Sequence, residues 1–172
     1  MSDNVSDHAC YICFDGEALI SPCSCRGTAG YVHKHCLKES FLVRGDLFDL
    51  TCKQCRHEFY GDFGVDLANA ALHKVQEEHG ETSVASAHAL IQLSRAFGRV
   101  GDYRKQKERL ERALTIMERE YGTDHIEVAA ALDNLGSALG DLGDYRKQKE
   151  LLERALLIEE WPELFYWWEG SQ

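Results

Sequence analysis

Cys10-Tyr11-Ile12-Cys13, Cys23-Ser24-Cys25, His33-Lys34-His35-Cys36 and Cys52-Lys53-Gln54-Cys55 punctuate one stretch near the start of the chain. They contain all seven cysteines of the 172-residue protein and one histidine at ligand spacing. Two thiolates in one turn bind a tetrahedral zinc ion at a Zn–S distance of ~2.3 Å. Four pairs give eight ligands, enough for two closed sites with no ligand over. A closed site has no open position for substrate, so its zinc is structural rather than catalytic. Spacing alone leaves the partnering open, because consecutive pairs or alternate pairs could share an ion. His35 competes with His33, but it directly adjoins Cys36, and two neighbouring residues fit one tetrahedral site poorly. His33 is therefore the expected ligand. His8 reads as part of a polar, disordered arm over residues 1–9.

Outside this stretch, composition sets bounds. The formal charge is −10 at pH 7. Seven thiolates and two dications take it to about −13. That argues against non-specific attraction to nucleic acid or to an anionic membrane. No run approaches the ~20 apolar residues of a spanning helix, so no integral membrane segment is expected. The first nine residues have no apolar signal-peptide core. An odd cysteine count interleaved with histidine fits zinc better than disulfides. A reducing compartment follows, the cytoplasm with the nucleus as the alternative.

Order, spacing and flanking residues narrow the zinc module. Four cysteines, one histidine and three cysteines, with Pro22-Cys23-Ser24-Cys25-Arg26-Gly27-Thr28, Tyr31-Val32-His33-Lys34-His35-Cys36-Leu37 and Cys52-Lys53-Gln54-Cys55-Arg56-His57-Glu58-Phe59, resemble the RING-CH (RING-variant) domain of a class of ubiquitin ligases. The PHD finger shares the ligand order but usually has other spacings and a Trp before its last pair. Here one residue separates the third and fourth ligands, seven separate the fourth from the histidine, and no Trp precedes Trp161.

The resemblance implies a cross-brace. Cys10, Cys13, His33 and Cys36 would hold one zinc, and Cys23, Cys25, Cys52 and Cys55 the other. It also implies docking of a ubiquitin-conjugating enzyme charged with ubiquitin. Ile12 would be the apolar contact in the first zinc loop, Pro22 and Leu37 would shape the groove, and Arg56 would bridge enzyme and ubiquitin. One position departs from the family: Ser40 stands where a Trp is usual. Within the module, a helix is expected from His33 to about Val43. A short strand is expected toward Cys52, where Leu47-Phe48-Asp49-Leu50-Thr51 alternates weakly.

Beyond the module the sequence changes character. Residues 61–65 read as a linker, and long amphipathic helices follow. Gly101-Asp102-Tyr103-Arg104-Lys105-Gln106-Lys107-Glu108 recurs unchanged as Gly143 to Glu150, a period of 42 residues. Aligning 80–118 with 122–160 gives 22 identities in 39 positions, which marks an internal array. Ile126, Ala129, Leu132, Leu135, Leu139 and Leu142 fall on one face of the second unit's first helix. Asp124 is its expected N-cap, with Glu127 completing a capping box.

Ala131-Leu132-Asp133-Asn134-Leu135-Gly136, Gly143-Asp144-Tyr145, Glu153-Arg154-Ala155-Leu156 and Tyr121-Gly122-Thr123-Asp124-His125 are similar to tetratricopeptide repeats of the long kinesin-light-chain kind. Gln106 and Gln148 occupy a helix-B position where that family usually has Ala, which suggests looser packing. Ala71-Leu72 aligns with Ala113-Leu114, so 66–80 reads as a lone helix B. The repeats are 81–122 and 123–160. An aromatic tail at 161–172 is a candidate cap.

The expected architecture is thus a small zinc-stabilised α+β cross-brace RING-variant domain over 10–60, followed by an all-α tetratricopeptide helical-hairpin array. Lysines and arginines on the B helices read as a solvated i, i+4 ladder with the acidic residues, not as a nucleic-acid surface. His73, His79, His88 and His125 stand singly, without a metal partner. The resemblance implies a RING-type ubiquitin-protein transferase with two structural Zn2+ and no covalent intermediate. Its partners would be a conjugating enzyme, ubiquitin, and a protein or peptide substrate on the repeats. Two alternatives are a non-catalytic zinc-stabilised scaffold, motivated by Ser40, and a PHD-like peptide reader.

Overall fold

The structure, a computed structural model, describes residues 9–169. The arm expected over 1–9 lies almost wholly outside those residues. The packing expected of the tail rests on side chains outside them too. Strand β1 (Leu19–Ile20) pairs antiparallel with β2 (Val32–His33), Leu19 opposite His33 and Ile20 opposite Val32. A 3-10 turn over Gly27–Gly30 precedes β2, and helix α1 (Lys34–Val43) follows it directly. Cys36, Leu37 and Phe41 turn the buried side of α1 inward. Val32, Leu47, Leu50 and Phe59 close the small core around them.

The strand expected toward Cys52 does not form. An isolated bridge, Thr51 with Glu58, stands there instead. Leu47 and Leu50 are both buried, and residues three apart cannot share one face of a two-residue-period strand. Asp49 bends the chain between them. Its carboxylate accepts from the Thr51 N–H at 3.0 Å and the Thr51 hydroxyl at 2.5 Å, and pairs with Lys53 Nζ at 2.6 Å. Arg44 donates to the backbone carbonyls of Asp49 and Thr51 from the other side.

These contacts, the Lys53 ammonium first and then Thr51, hold the Asp49 carboxyl at about 2, below its ordinary 3.8. A depressed carboxyl stabilises the fold fully above its ordinary value, and that contribution disappears as pH falls through the folded value. Asp49→Asn is expected to cost about 1–2 kcal/mol at pH 7. The difference from the parent, read from chemical-denaturation midpoints, should shrink as pH falls below 4.

Residues 61–65 are not a linker. They form the first turn of α2 (Gly61–His79). The glycines made this run look loop-like, but one serves a backbone conformation and the other a close contact. Gly61 enters the helix at φ +63°, a conformation costly for other residues. A Cβ on Gly64 would lie 2.6 Å from the Phe59 carbonyl oxygen, so only glycine lets those two segments touch.

Helices α3 (Val84–Arg99), α4 (Tyr103–Tyr121), α5 (Ile126–Asp141) and α6 (Tyr145–Glu169) complete the chain, each packed on the one before it. Leu90, Leu93, Leu110, Met117, Val128 and Leu132 are fully enclosed between them. Asp102 and Asp144 cap α4 and α6 by accepting from the N–H groups of Lys105 and Lys147, each at 3.2 Å. Ser83 caps α3. The equivalent residue 42 positions on is His125, and it, not Asp124, caps α5: its Nδ1 accepts from the Glu127 N–H at 3.2 Å. Tyr121 stacks on the His125 ring at 4.6 Å and fixes its orientation.

The glutamines do not loosen the packing. Gln106 lies against Gly98, and Gln148 against Gly140, so closely that a Cβ on either glycine would come within 3.0 Å of the amide. The large residue on helix B is matched by no side chain on helix A. The charge ladder forms in part, through Lys107–Glu111 at 3.2 Å and Arg146–Glu150 at 3.9 Å. Arg112 and Arg154 instead reach out of their helices. Arg112 pairs with Glu81 at 3.1 Å and Arg154 with Glu118 at 2.8 Å. Among the described residues, no helix is long and apolar enough to cross a membrane.

Candidate functional site

Eight side chains converge into two groups. Cys10, Cys13, His33 and Cys36 form one, and Cys23, Cys25, Cys52 and Cys55 the other. Within each, the ligand atoms lie within 4.8 Å of one another. A tetrahedron with ~2.3 Å metal–sulfur bonds has edges of ~3.8 Å, close to the 3.6 Å between the sulfurs of Cys25 and Cys52. Pairs one and three meet because the β1–β2 pairing brings His33 back beside the first loop. The backbone N–H of Tyr11 donates to the Tyr31 carbonyl at 3.3 Å, and that of His33 donates to the Cys10 sulfur at 3.5 Å.

His33 turns Nδ1 into the first group, 3.1 Å from the Cys13 sulfur, and its Nε2–H donates to the Glu17 carbonyl at 2.5 Å. A ligating imidazole characteristically spends its other nitrogen on a carbonyl in this way, which fixes tautomer and ring orientation. His35 stacks on His33 at 5.1 Å, and its Nε2 lies 3.3 Å from the Cys36 sulfur. It contacts the thiol from the surface side and is not one of the four.

The thiols are divided electrostatically. Burial opposes charge on Cys10, but the N–H groups of Cys13, His33 and Ile12 outweigh it and hold the thiol at about 6. The His57 N–H does the same for Cys55, against burial, again to about 6. Burial, reinforced by the neighbouring cysteines, pushes Cys36 up to about 12 and Cys25 well above the ordinary thiol range. Adjacent thiols cannot all ionise on their own, and a divalent cation among them reverses that balance. The donor set therefore fits zinc in both groups, by soft sulfur ligands, spacing and a supported histidine.

The four residues expected to dock a partner are not equally accessible. Ile12 is 37% exposed in the first loop, and its neighbour Phe14 is 80% exposed at φ +65°. Arg56 is exposed at φ +61°, its N–H donating to the Cys52 carbonyl at 2.9 Å. Pro22 is buried, and its carbonyl accepts from the Tyr60 N–H at 3.1 Å. Leu37 is buried but lines a pocket of about 360 Å³ with Tyr11, Ser40, Phe41, Lys53 and Phe59. Ser40 is exposed beside it, while Phe41 turns inward under the Arg44 guanidinium, 4.4 Å from its ring centre. Phe14 was legible as a surface apolar residue of a zinc-tied turn. The pocket was not, because its walls come from segments far apart in the chain, Tyr11, Ala29, α1 and residues 52–59.

Comparison with known proteins agrees with this layout. Residues 10–55 match the RING-variant domain family, and residues 86–127 and 107–158 match two tetratricopeptide repeat families. The E3 ubiquitin-protein ligase MARCHF2 of Homo sapiens is 42% identical over 53 residues, which are 29% of this chain and 20% of that protein. MARCHF2 of Rattus norvegicus and of Xenopus tropicalis match to the same extent. The chain thus matches only about a fifth of the length of these relatives. A putative kinesin light chain of Podosopora anserina, with nearly identical TPR-like repeats, superposes with a TM-score of 0.54 and 18% identity, over 73% of this chain and 53% of that one. A variant of that protein superposes with the same TM-score over 76% of this chain and 55% of its own.

Proposed function

We propose that this chain, a RING-variant domain followed by tetratricopeptide repeats, is a RING-type ubiquitin ligase. It would bind two structural zinc ions, dock a charged ubiquitin-conjugating enzyme on its zinc loops and recruit a protein substrate through its repeats. The observation that carries this reading is the closed eight-ligand set, with exposed Ile12 and Arg56 on the loops that it ties down. All seven cysteines are assigned to the two groups, so none is left to serve as a nucleophile. Transfer would then be direct. A substrate lysine amine attacks the thioester carbonyl on the conjugating enzyme, the C–S bond breaks, and the enzyme's thiolate leaves as the isopeptide forms. The ligase's contribution is proximity and orientation. Zinc held by the two groups of four would crosslink the loops and would take no part in the transfer.

The test is ubiquitin-chain formation by the zinc-loaded protein across a panel of conjugating enzymes. Ile12→Ala is expected to lower it by ~10-fold or more, the scale of an interface anchor, with two zinc ions per chain retained. Undiminished activity in that variant overturns the docking surface.

Ser40 supports a second reading, a zinc-stabilised scaffold without ligase activity. Ser40 puts a hydroxyl on the wall of this pocket at the position where the family usually has Trp. A gain of activity in Ser40→Trp identifies a weak ligase. No gain, with no conjugating enzyme bound, favours the scaffold. The match of residues 10–55 to the RING-variant family supports the ligase reading over a PHD-like peptide reader.

A further inference from the structure

Each helix B of a helical-hairpin array packs between its own helix A and the helix A of the next repeat. Helix α2 is a helix B with no helix A before it. Aligned through Ala71-Leu72 on Ala113-Leu114, its Phe63, Gly64 and Val65 stand where α4 has Lys105, Gln106 and Lys107, and where α6 has Lys147, Gln148 and Lys149. Three polar positions in two repeats are thus apolar or without a side chain in the third. Farther along, Lys74 replaces Ile116 and Ile158, both buried.

The zinc-binding module covers these positions. The Phe63 ring meets the Phe59 ring edge-on at 5.8 Å, and Gly64 receives the Phe59 carbonyl. Lys74 Nζ donates to the Leu42 carbonyl near the end of α1 at 2.7 Å. Ion pairs join Lys34 to Asp66 and Glu58 to Arg99, and Phe48 lies edge-on to His88. Tyr60, the residue before α2, is tied to the second thiol group. Its N–H donates to the Pro22 carbonyl and its hydroxyl to the Cys23 carbonyl, both at 3.1 Å. One continuous cluster of buried side chains runs from the module through α2 and α3 into the later helices, and Leu67, fully enclosed, belongs to it.

We propose that the zinc-binding module is the N-terminal cap of the repeats, standing in the place of the missing helix A, so that metal loading and folding of the array are one cooperative event. The proposal rests on the assignment of the two thiol groups as zinc sites. The first helix of such an array has no preceding repeat to cover its apolar face, and that face needs covering. A module whose own fold depends on metal passes that dependence to α2 through the seam. It also holds the zinc loops and the repeat surface in one fixed relation, with no flexible connection between them.

The experiment uses the full zinc-loaded chain. Zinc is released with excess chelator and counted with a colorimetric indicator, and thermal unfolding is followed by far-ultraviolet ellipticity. That signal reports chiefly α2 to α6, because α1 has only ten residues. Chelation is expected to lower the midpoint of the helical signal by ~10 °C or more, and to speed amide exchange throughout α2. Two zinc ions released with midpoint and α2 exchange unchanged overturns the cap and leaves the metal assignment standing. A folded chain that releases no zinc overturns the metal assignment and the coupling together. Phe63→Lys, which installs the residue of the other two repeats, is expected to keep both zinc ions and at least halve the midpoint shift on chelation. A shift as large as the parent's overturns the seam as the route.

Discussion

Cys52→Ser is expected to cost the chain one zinc ion and, with it, the folded structure of residues 10–60. Cys52 is 8% exposed and belongs to the group with Cys23, Cys25 and Cys55. A serine hydroxyl does not ionise to an oxygen ligand near neutral pH, and three remaining thiols hold zinc far more weakly. Apparent binding of structural zinc is about 10–16 kcal/mol at pH 7 and appears directly as folding free energy. A whole domain is stable by only about 5–15 kcal/mol. Losing one site therefore exceeds what β1, β2 and the few buried side chains of the module supply. Zinc release should count two ions in the parent and at most one in the variant, and limited proteolysis should cut within 10–60. Two ions retained by Cys52→Ser would show that this cysteine is not a ligand. Cys10→Ser makes the matching prediction for the other group.

Leu67→Ala should destabilise both halves of the molecule at once. Leu67 is fully enclosed and lies in the cluster that joins Phe59 and Phe63 to the helices. Removing its isopropyl end leaves a cavity where two rigid elements meet, and such truncations cost about 2–5 kcal/mol. The site has little room to relax, because Gly64, one turn earlier, already lies against the Phe59 backbone. The effect is read as the shift of a single unfolding transition followed by helical ellipticity and by zinc release. Coincident shifts in the two signals are expected. A shift confined to zinc release would place Leu67 in the module alone and separate the two parts energetically.

Parts of this molecule were legible before any coordinates, and the reasons are local. Metal ligands must come as specific atoms at short spacings, so the eight candidates from Cys10 to Cys55 announced themselves. A repeat must bury the same face each time, so the 42-residue period exposed the hairpins, with Asp102 and Asp144 starting equivalent helices at equivalent places. Misreadings arose where one residue serves a contact distant in sequence. Tyr60-Gly61-Asp62-Phe63-Gly64 looks like a loop on composition, yet it leads into and begins a helix because Phe59, Pro22 and Cys23 lie against it. Gln106 and Gln148 looked like flaws until Gly98 and Gly140 were found opposite them. Leu47 to Thr51 alternates like a strand, but among the described residues its strand pairing is limited to the one bridge at Thr51.

The sequence by itself determined the inventory: which atoms can hold metal, which faces are apolar, where the repeats begin, and that every cysteine has a place. Tertiary structure alone decided the partnering. The β1–β2 pairing brings His33 to Cys10 and Cys13 rather than leaving each pair with its neighbour in the chain. The same folding lays α1 and Phe59 over α2, so that a metal-binding module and a helical array share one core. Spacing along a chain limits which groups can be close, but closeness is settled only when burial, pairing and chain reversal are satisfied together.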